Sequence, residues 1–289
     1  MFLRTGAELG SLPSNTLLTK EVCDPTRFSG ILILDGKYVA VKGYSPKIPF
    51  LYGIDYLTHD IPLGEVFRAE DEMAFSQYFS RLKELGYNLR AVVADDRGGL
   101  KQALHKVFPY ARLQLCHNHY LENIRRLLKV RTETKYQHFF NSLRLHVFLE
   151  GTNEQLITRG LVHVMQAHAG RNKLLIHILM EIHDRYEVLF NYLQVKDCPN
   201  NTNLIELYNS HLNGRLKTIK GFQSLASAKQ WLNAYLIRRR TKPLTDCEQK
   251  FKYLNKHASL ELTIKKQAIW PDTLTKLGIH RPNYFEKIP

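Results

Sequence analysis

Residues 31–41 read ILILDGKYVAV, an apolar and β-branched run interrupted by Asp35 and Gly36. A second apolar run, residues 89–95, reads LRAVVAD and ends at Asp95. Such runs are typical of buried strands, so each carboxylate is predicted to be held at the edge of a sheet. Taken alone, the Asp35-Gly36 pair is equally typical of a hairpin turn, and the residues leave that alternative open.

Working outward, the predicted elements alternate in type. Strands are predicted over 31–34, 38–42, 50–58, 63–68, 89–94 and 111–115, and helices between Asp71 and Gly86 and over 99–107. Residues 38–42 either continue the first strand or pair with it. An antiparallel meander followed by α/β units is the arrangement of ribonuclease H, where the first and fourth strands are adjacent. The pattern therefore predicts an α/β fold with a ribonuclease H-like mixed sheet that brings Asp35 and Asp95 together.

The remaining chain changes character twice. Leucine and isoleucine at helical spacing after Tyr120 predict an all-helical insertion. The expected division is an N-terminal arm (1–29), the first part of the core (30–119), the helical insertion (120–198), the second part of the core (199–242) and a basic C-terminal tail (243–289).

Glu206 is the third acidic residue of interest. It lies in a predicted helix whose polar face also carries Asn203, Asn209, Ser210 and Asn213. The ordinary interpretation is a solvated helix face, but this face has one acid among amides and precedes a basic stretch. Three converging carboxylates form an all-oxygen site for a hard divalent cation such as Mg²⁺.

The overall charge indicates the class of partner. A formal charge of +14 favours a polyanion, because each neutralised phosphate releases condensed counterions. There is no apolar run approaching about 18 residues, and residues 1–10 lack the apolar core of a signal peptide, so no membrane association is expected. The expected location is intracellular: cytoplasm or nucleoid in a bacterium, nucleus in a eukaryote.

Residues 116–119 form a second polar cluster. Cys116 and His119 are spaced like half of a zinc site, but no second half follows at the usual spacing. The four cysteines are scattered without a CxxC pair, so a zinc ribbon is not expected.

Together these motifs resemble the DDE transposases of the mutator-like superfamily, in particular the bacterial mutator-type enzymes. The resemblance rests on LDGKYVAV (34–41), VVADDRGGLKQAL (92–104), FPYARLQLCHNH (108–119) and NTNLIELYNSHLNGRLKTIKGF (201–222), and it covers roughly residues 30–240. It implies that Asp35, Asp95 and Glu206 are catalytic and hold two Mg²⁺ or Mn²⁺ ions. Cys116 and His119 match the family's Cys-two-residues-His motif, at the edge of the site.

The resemblance also implies a partner and an activity. The partner is DNA, as element terminal repeats and as target, and the protein is expected to act as a homodimer or higher multimer. Expected DNA contacts are Asn203, Asn209, Arg215, Lys217, Lys220, Arg238, Arg239 and Arg240. The expected activity is metal-dependent hydrolysis at element ends followed by strand transfer.

Two alternatives stay open. A relative that only binds DNA is favoured by the short region before the first strand and disfavoured by the complete set of carboxylates. A stand-alone nuclease of the same fold would cleave DNA without strand transfer. The chain also departs from the family at Asp96, where the family often has glycine.

Overall fold

The computed structural model describes residues 12–170 and 172–285. Its strands are β1 (Ile31–Val39), β2 (Ile48–Asp55), β3 (Leu63–Val66), β4 (Ala91–Ala94) and β5 (Arg112–Leu115). They form one mixed sheet in the order β3-β2-β1-β4-β5. This order places β1 and β4 side by side, as expected for a ribonuclease H-like α/β fold, and confirms the predicted fold class.

The first strand shows whether Asp35-Gly36 forms a hairpin turn or lies within a strand. Strands β1 and β2 are antiparallel, with Asp35 opposite Tyr52 and Gly36 opposite Leu51. The ladder continues on both sides of Gly36, so residues 31–39 are one strand and Asp35-Gly36 is not a turn. Residues 31–34 and all of β2 are buried, which explains their continuous apolar character.

Helices make up most of the remaining described chain. They are α1 (Asn15–Val22), α2 (Glu72–Glu84), α3 (Leu100–Val107), α4 (His117–Leu127), α5 (Gln137–His146), α6 (Glu154–Val164), α7 (Lys173–Asp184), α8 (Tyr186–Phe190), α9 (Asn203–Ile219), α10 (Leu225–Thr241), α11 (Ser259–Thr263) and α12 (Asp272–Lys276). Within the described ranges, no helix combines the length and apolar character needed to cross a bilayer.

Local sequence explains where the helices beside the sheet begin and end. The Asp71 carboxylate accepts a hydrogen bond from the Ala74 amide at 2.9 Å, and Gly86 follows α2 with a φ of 75°. Gly99 precedes α3 with a φ of 78°, and a Cβ there would lie 2.7 Å from the backbone of Glu72. Only glycine fits at residue 99, because any side chain would be both strained and in collision.

The described chain divides into two compact units. The first contains the residues up to Val92, Arg97–Ala111 and those from Asn203 onward. The second contains Val93–Asp96 and Arg112–Thr202, and its helices α4 to α8 bury an apolar interior that includes Phe139, Leu143, Ile157 and Ile178. Between residues 117 and 193 the described residues form helices and their connections only.

The two terminal segments are folded where the structure describes them. Helix α1 and the segment after residue 243 share an apolar cluster whose buried members include Leu18, Val22, Ile237, Leu260, Ile264, Leu274 and Ile279. Residues of the expected basic tail (243–289) therefore pack against α1 where the structure describes them. The expected arm over 1–29 contains a packed helix from Asn15, and its residues 1–11 lie outside the described range.

Arg240 is the largest fully buried side chain of the first unit. Its guanidinium donates from Nε and Nη2 to the two oxygens of Asp60, each at 2.8 Å. The remaining donors reach Asn15 Oδ1 at 2.9 Å, Thr19 Oγ1 at 2.7 Å and Cys23 Sγ at 3.1 Å. The N–H donors of the guanidinium thus all find acceptors within the protein. A buried charge is tolerated in a core only when it is paired and hydrogen-bonded in this way.

Asp60 extends this network to the C-terminal segment. It accepts hydrogen bonds from Ser259 Oγ at 3.2 Å and from Thr263 Oγ1 at 2.5 Å. One ion pair consequently joins α1, the segment between β2 and β3, α10 and α11.

Replacing Arg240 tests this structural role. Arg240→Gln leaves the Asp60 carboxylate buried without its partner, so the free energy of unfolding should fall by about 3–5 kcal/mol. The exposed Lys242, two residues later, provides the control, and Lys242→Gln should change it by no more than about 0.5 kcal/mol. Urea unfolding measures both. An Arg240→Gln variant with the wild-type midpoint and slope would contradict the assignment.

Candidate functional site

Asp35 lies in the middle of β1, on the strand paired to β2. The residues before it are buried and Asp35 itself is half-buried. Its Oδ1 accepts a hydrogen bond from the Gly36 amide at 2.8 Å. A carboxylate fixed to a hydrogen-bonded strand has little freedom to move, which suits a ligand in a preorganised site.

Helix α9 reaches Asp35 through an amide side chain. Asn209 Nδ2 donates to Asp35 Oδ2 at 2.6 Å, while Asn209 Oδ1 accepts from the Tyr52 hydroxyl at 2.8 Å. Tyr52 is fully buried, and burial raises its pKa well above the usual value, so the hydroxyl remains a donor. The Tyr52 donor fixes which end of the amide is the oxygen, and the amide nitrogen therefore points to Asp35.

Glu206 stands three residues before Asn209 in α9 and is exposed. Residues three apart lie on neighbouring turns of the same helix face. The contact between Asn209 and Asp35 fixes α9 against β1 one turn away from Glu206. Asn209 was expected to contact DNA, but it is 7% exposed and its described hydrogen bonds are to Tyr52 and Asp35 within the protein.

Asp95 belongs to a separate cluster in the second unit. His119 Nδ1 lies 2.7 Å from Asp95 Oδ1, 3.3 Å from Cys116 Sγ and 3.4 Å from Thr202 Oγ1. Thr202 also donates from its hydroxyl to Cys116 Sγ at 3.2 Å. Cys116 comes directly before α4 and His119 lies in its first turn, so the end of β5 and the start of α4 position both residues.

The close contacts shift the protonation of this cluster. The contact with Asp95, and then that with Cys116, raises the pKa of His119 to about 10. Burial opposes ionisation of Cys116, but hydrogen bonds from His119 and Thr202 together lower the pKa of its thiol. His119 is therefore an imidazolium at neutral pH and forms an ion pair with the Asp95 carboxylate.

The geometry excludes a cysteine nucleophile of the usual kind. Cys116 and Asp95 both face the same ring nitrogen, so His119 cannot pass a proton from one to the other as in a catalytic triad. Cys116 is also 1% exposed, which leaves no access for a substrate.

The same cluster offers ligands to a cation. One donor atom from each of Asp95, Cys116 and His119 lies within 4.8 Å of the other two. Asp95 Oδ1 is buried and faces His119 Nδ1 at 2.7 Å, so a positively charged ring already lies beside this oxygen. A buried carboxylate oxygen that already has a positive neighbour is well placed to bind a positive ion.

Asp96 is held away from this cluster by an ion pair. Arg185, directly after α7, approaches Asp96 Oδ2 with Nη2 at 2.6 Å and Glu181 Oε1 with Nη1 at 3.3 Å. The guanidinium also lies over the ring of Tyr120, 5.7 Å from its centroid. The additional acidic residue that follows Asp95 is thus neutralised within the second unit.

The basic residues expected to bind DNA separate into two groups. Asn203, Arg215 and Lys217 are exposed on α9, and Lys220 is exposed directly after it. Arg238 and Arg239 are half-buried on α10, and the Arg239 guanidinium lies 4.3 Å from the centroid of Tyr208. Arg240 was expected to bind DNA, and that expectation is wrong, because its guanidinium is fully buried against Asp60.

Four residues around the candidate sites were not predicted from the sequence. Tyr52 and Thr202 contact the two candidate sites from distant parts of the chain, and Arg185 reaches Asp96 from the position directly after α7. Glu70 packs against β1, where a Cβ on Gly36 would lie 2.9 Å from its carboxylate. The same carboxylate accepts a hydrogen bond from the Tyr38 hydroxyl at 2.5 Å and lies 3.5 Å from Arg97 Nε. None has a local spacing signal, since each depends on tertiary packing.

Comparison with protein families identifies the family of the chain. A protein-family model described as "Transposase, Mutator family" matches residues 31–241. The match includes Asp35, Asp95, Cys116, His119 and Glu206. No curated protein matches the chain significantly.

A double-mutant cycle tests the Tyr52–Asn209–Asp35 chain. Asn209→Ala leaves the buried Tyr52 hydroxyl without an acceptor, so it should lower the free energy of unfolding by about 1–3 kcal/mol. Tyr52→Phe should then cost less in the Asn209→Ala background than in the wild type, with a coupling of about 0.5–3 kcal/mol. Urea unfolding of the four proteins measures this coupling.

Asn213, one turn further along α9 and half-buried, gives the matched control. Tyr52→Phe should cost the same in the Asn213→Ala background as in the wild type. Strictly additive effects of Tyr52→Phe and Asn209→Ala would contradict the proposed contact.

Proposed function

The chain belongs to the Mutator family of transposases, and we propose that it cuts phosphodiester bonds at the ends of a DNA element and joins the freed ends to target DNA. Family membership implies DNA as the partner. The formal charge of +14 suits that partner, because a basic protein gains affinity for DNA by releasing counterions. The observation that carries the proposal is Asp35, held on a buried strand by an amide from the helix that bears Glu206.

We further propose a DDE-type site in which Asp35, Asp95 and Glu206 hold two divalent ions, Mg²⁺ or Mn²⁺. Transposases of this kind use divalent metals, and carboxylate oxygens are the ligands that such hard cations prefer. Three observations support these residues. Asp35 lies in β1 and Asp95 directly follows β4, its neighbour in the sheet. Asn209 fixes the Glu206 helix to β1, and Asp95 Oδ1 is buried beside the ring of His119.

Bound ions would supply the positive charge that activates the attacking oxygen and stabilises the leaving oxygen. The protein's own contribution is to orient the ligands. Asn209 presents Asp35 in one rotamer through a neutral hydrogen bond, which leaves the negative charge of the carboxylate available for a cation. His119 orients Asp95 and, in turn, is held by Cys116 and Thr202.

The reaction needs no covalent enzyme intermediate. Water attacks the phosphorus at the element end, the bond from phosphorus to the 3′ oxygen breaks, and that oxygen leaves as a 3′-hydroxyl. The freed hydroxyl then attacks a target phosphodiester at the same site and displaces a second 3′ oxygen. Each step exchanges one phosphorus–oxygen bond for another, so no oxidant or reductant is required.

Binding of the DNA backbone is proposed for exposed polar residues of α9, for Lys220 directly after it, and for α10. The residues are Asn203, Arg215, Lys217, Lys220, Arg238 and Arg239. Arg239 lies over the ring of Tyr208, two residues after Glu206, so part of this basic set borders the helix that carries the carboxylate. We propose that the protein acts as a homodimer or higher multimer, since both element ends must be processed. It would act in the compartment that contains the DNA.

Conservative replacement of the carboxylates tests the assignment. Asp35→Asn and Glu206→Gln remove a ligand charge with little change in volume, so metal-dependent cleavage should fall by at least about 100-fold. Binding of the same DNA should change little, because neither residue contributes positive charge. A labelled duplex carrying the element's terminal repeat, incubated with Mg²⁺, reports cleavage on a gel, and a mobility shift reports binding.

The exposed Glu248 provides a control of the same chemistry, and Glu248→Gln should retain cleavage. Wild-type cleavage by either carboxylate variant would refute the site. Cleavage that produces nicks but no joined products would instead identify a nuclease without strand transfer.

A further inference from the structure

We propose that Asp95, Cys116 and His119 form a binding site for a zinc-type transition metal, distinct in chemistry from the proposed magnesium site. The three donor atoms are an oxygen, a sulfur and a nitrogen, all within 4.8 Å of one another. A cysteine and a histidine separated by two residues make half of a zinc site, and no second half follows at the usual spacing. The fold supplies the third ligand from the end of β4.

The donor set determines which metal fits. Thiolate and imidazole are ligands for zinc and related transition metals, whereas Mg²⁺ prefers an all-oxygen environment. Three protein ligands leave a fourth position of a tetrahedron open, as in zinc sites that bind water or substrate. The cluster therefore selects against Mg²⁺ and for Zn²⁺.

The distances are close to those of a loaded site. Zinc bonds of the usual length imply ligand separations of roughly 3.6 Å for sulfur to nitrogen and roughly 3.4 Å for nitrogen to oxygen in a tetrahedron. The observed separations are 3.3 Å between Cys116 Sγ and His119 Nδ1 and 2.7 Å between His119 Nδ1 and Asp95 Oδ1. A movement of the Asp95 carboxylate by about 0.7 Å would bring its separation from His119 Nδ1 to that length, and its donor atom already lies within 4.8 Å of Cys116 Sγ.

The surroundings of Cys116 favour its ionised form as a ligand. Thr202 donates to Sγ from its hydroxyl at 3.2 Å and from its amide at 3.4 Å. Cys116 also caps the N-terminus of α4, where the helix dipole stabilises negative charge. When the ion binds, it replaces the proton on His119 Nδ1 and the thiol proton of Cys116, and both protons pass to solvent.

One consequence rests on the proposed function. Asp95 is shared between the two metal sites, so an ion held by Cys116 and His119 withdraws Asp95 from the magnesium site. Zinc then acts as an inhibitor of cleavage, and the Cys-two-residues-His motif becomes a sensor of transition metal rather than a part of the reaction.

Titration with Co²⁺, a spectroscopic substitute for Zn²⁺, tests the site without any need for activity. Binding through Cys116 gives a thiolate-to-cobalt charge-transfer band in the near ultraviolet, which binding by carboxylates alone cannot produce. Zn²⁺ should abolish the band by displacement, and Mg²⁺ should not. Competition with a chromophoric chelator measures the zinc affinity.

Three variants decide the ligands. Cys116→Ser should remove the band, and His119→Gln and Asp95→Asn should each weaken zinc binding by at least about tenfold. Cys198→Ser, which replaces another buried cysteine of the same unit, should behave as wild type. Circular dichroism verifies that each variant is folded, and His119→Gln gives an independent answer if Cys116→Ser is not.

Absence of the band in the wild type, or an unchanged zinc affinity in all three variants, would overturn the zinc site and leave the proposed transposase untouched. In the cleavage assay, Zn²⁺ at concentrations that fill the site should suppress Mg²⁺-dependent cleavage by the wild type. Full activity of the zinc-loaded protein would reject the inhibitory role. A wild type that binds zinc but never cleaves DNA would count against the proposed function instead.

Discussion

The hydrogen bond from Asn209 to Asp35 is the contact on which the candidate site depends most. At 2.6 Å it joins α9 to β1, and Tyr52 fixes the amide that makes it. The strand provides rigidity, since four buried residues precede Asp35 and its neighbours are paired with β2. Because this contact fixes α9 against β1, the position of Glu206 depends on the sheet as well as on the helix.

Asp35 and Asp95 are held by partners of different charge, with different chemical results. The neutral amide of Asn209 orients Asp35 without compensating its charge, so the carboxylate keeps its attraction for a cation. Asp95 faces the imidazolium of His119, whose pKa is raised to about 10 chiefly by that contact. A divalent ion at Asp95 must therefore share the carboxylate with His119 or displace its proton. This competition links the proposed magnesium chemistry to the proposed zinc site.

Sequence patterns predicted those features that depend on neighbours along the chain. Continuous apolar runs located β1 and β4, and Asp71 and Gly86 located α2. The resemblance located Asp35, Asp95, Cys116, His119 and Glu206, all within the family match.

Features that depend on tertiary packing were not predicted from the sequence or were predicted wrongly. Arg240 follows two arginines and reads as part of the same basic stretch, yet its position on α10 turns it toward Asp60 in the core. Asn209 shares the polar spacing of Glu206 but faces Tyr52 instead of DNA. Charge in a sequence does not reveal whether a partner is solvent, nucleic acid or a buried carboxylate.

The central claim is that Asp35, Asp95 and Glu206 serve one divalent-metal centre. Fe²⁺ substituted for Mg²⁺, with ascorbate and peroxide, releases hydroxyl radicals that cut the backbone close to the bound ion. The account predicts cuts near all three residues in the same loaded protein, suppressed by excess Mg²⁺. Cuts near Cys116 and His119 alone, with none near Asp35 or Glu206, would contradict it.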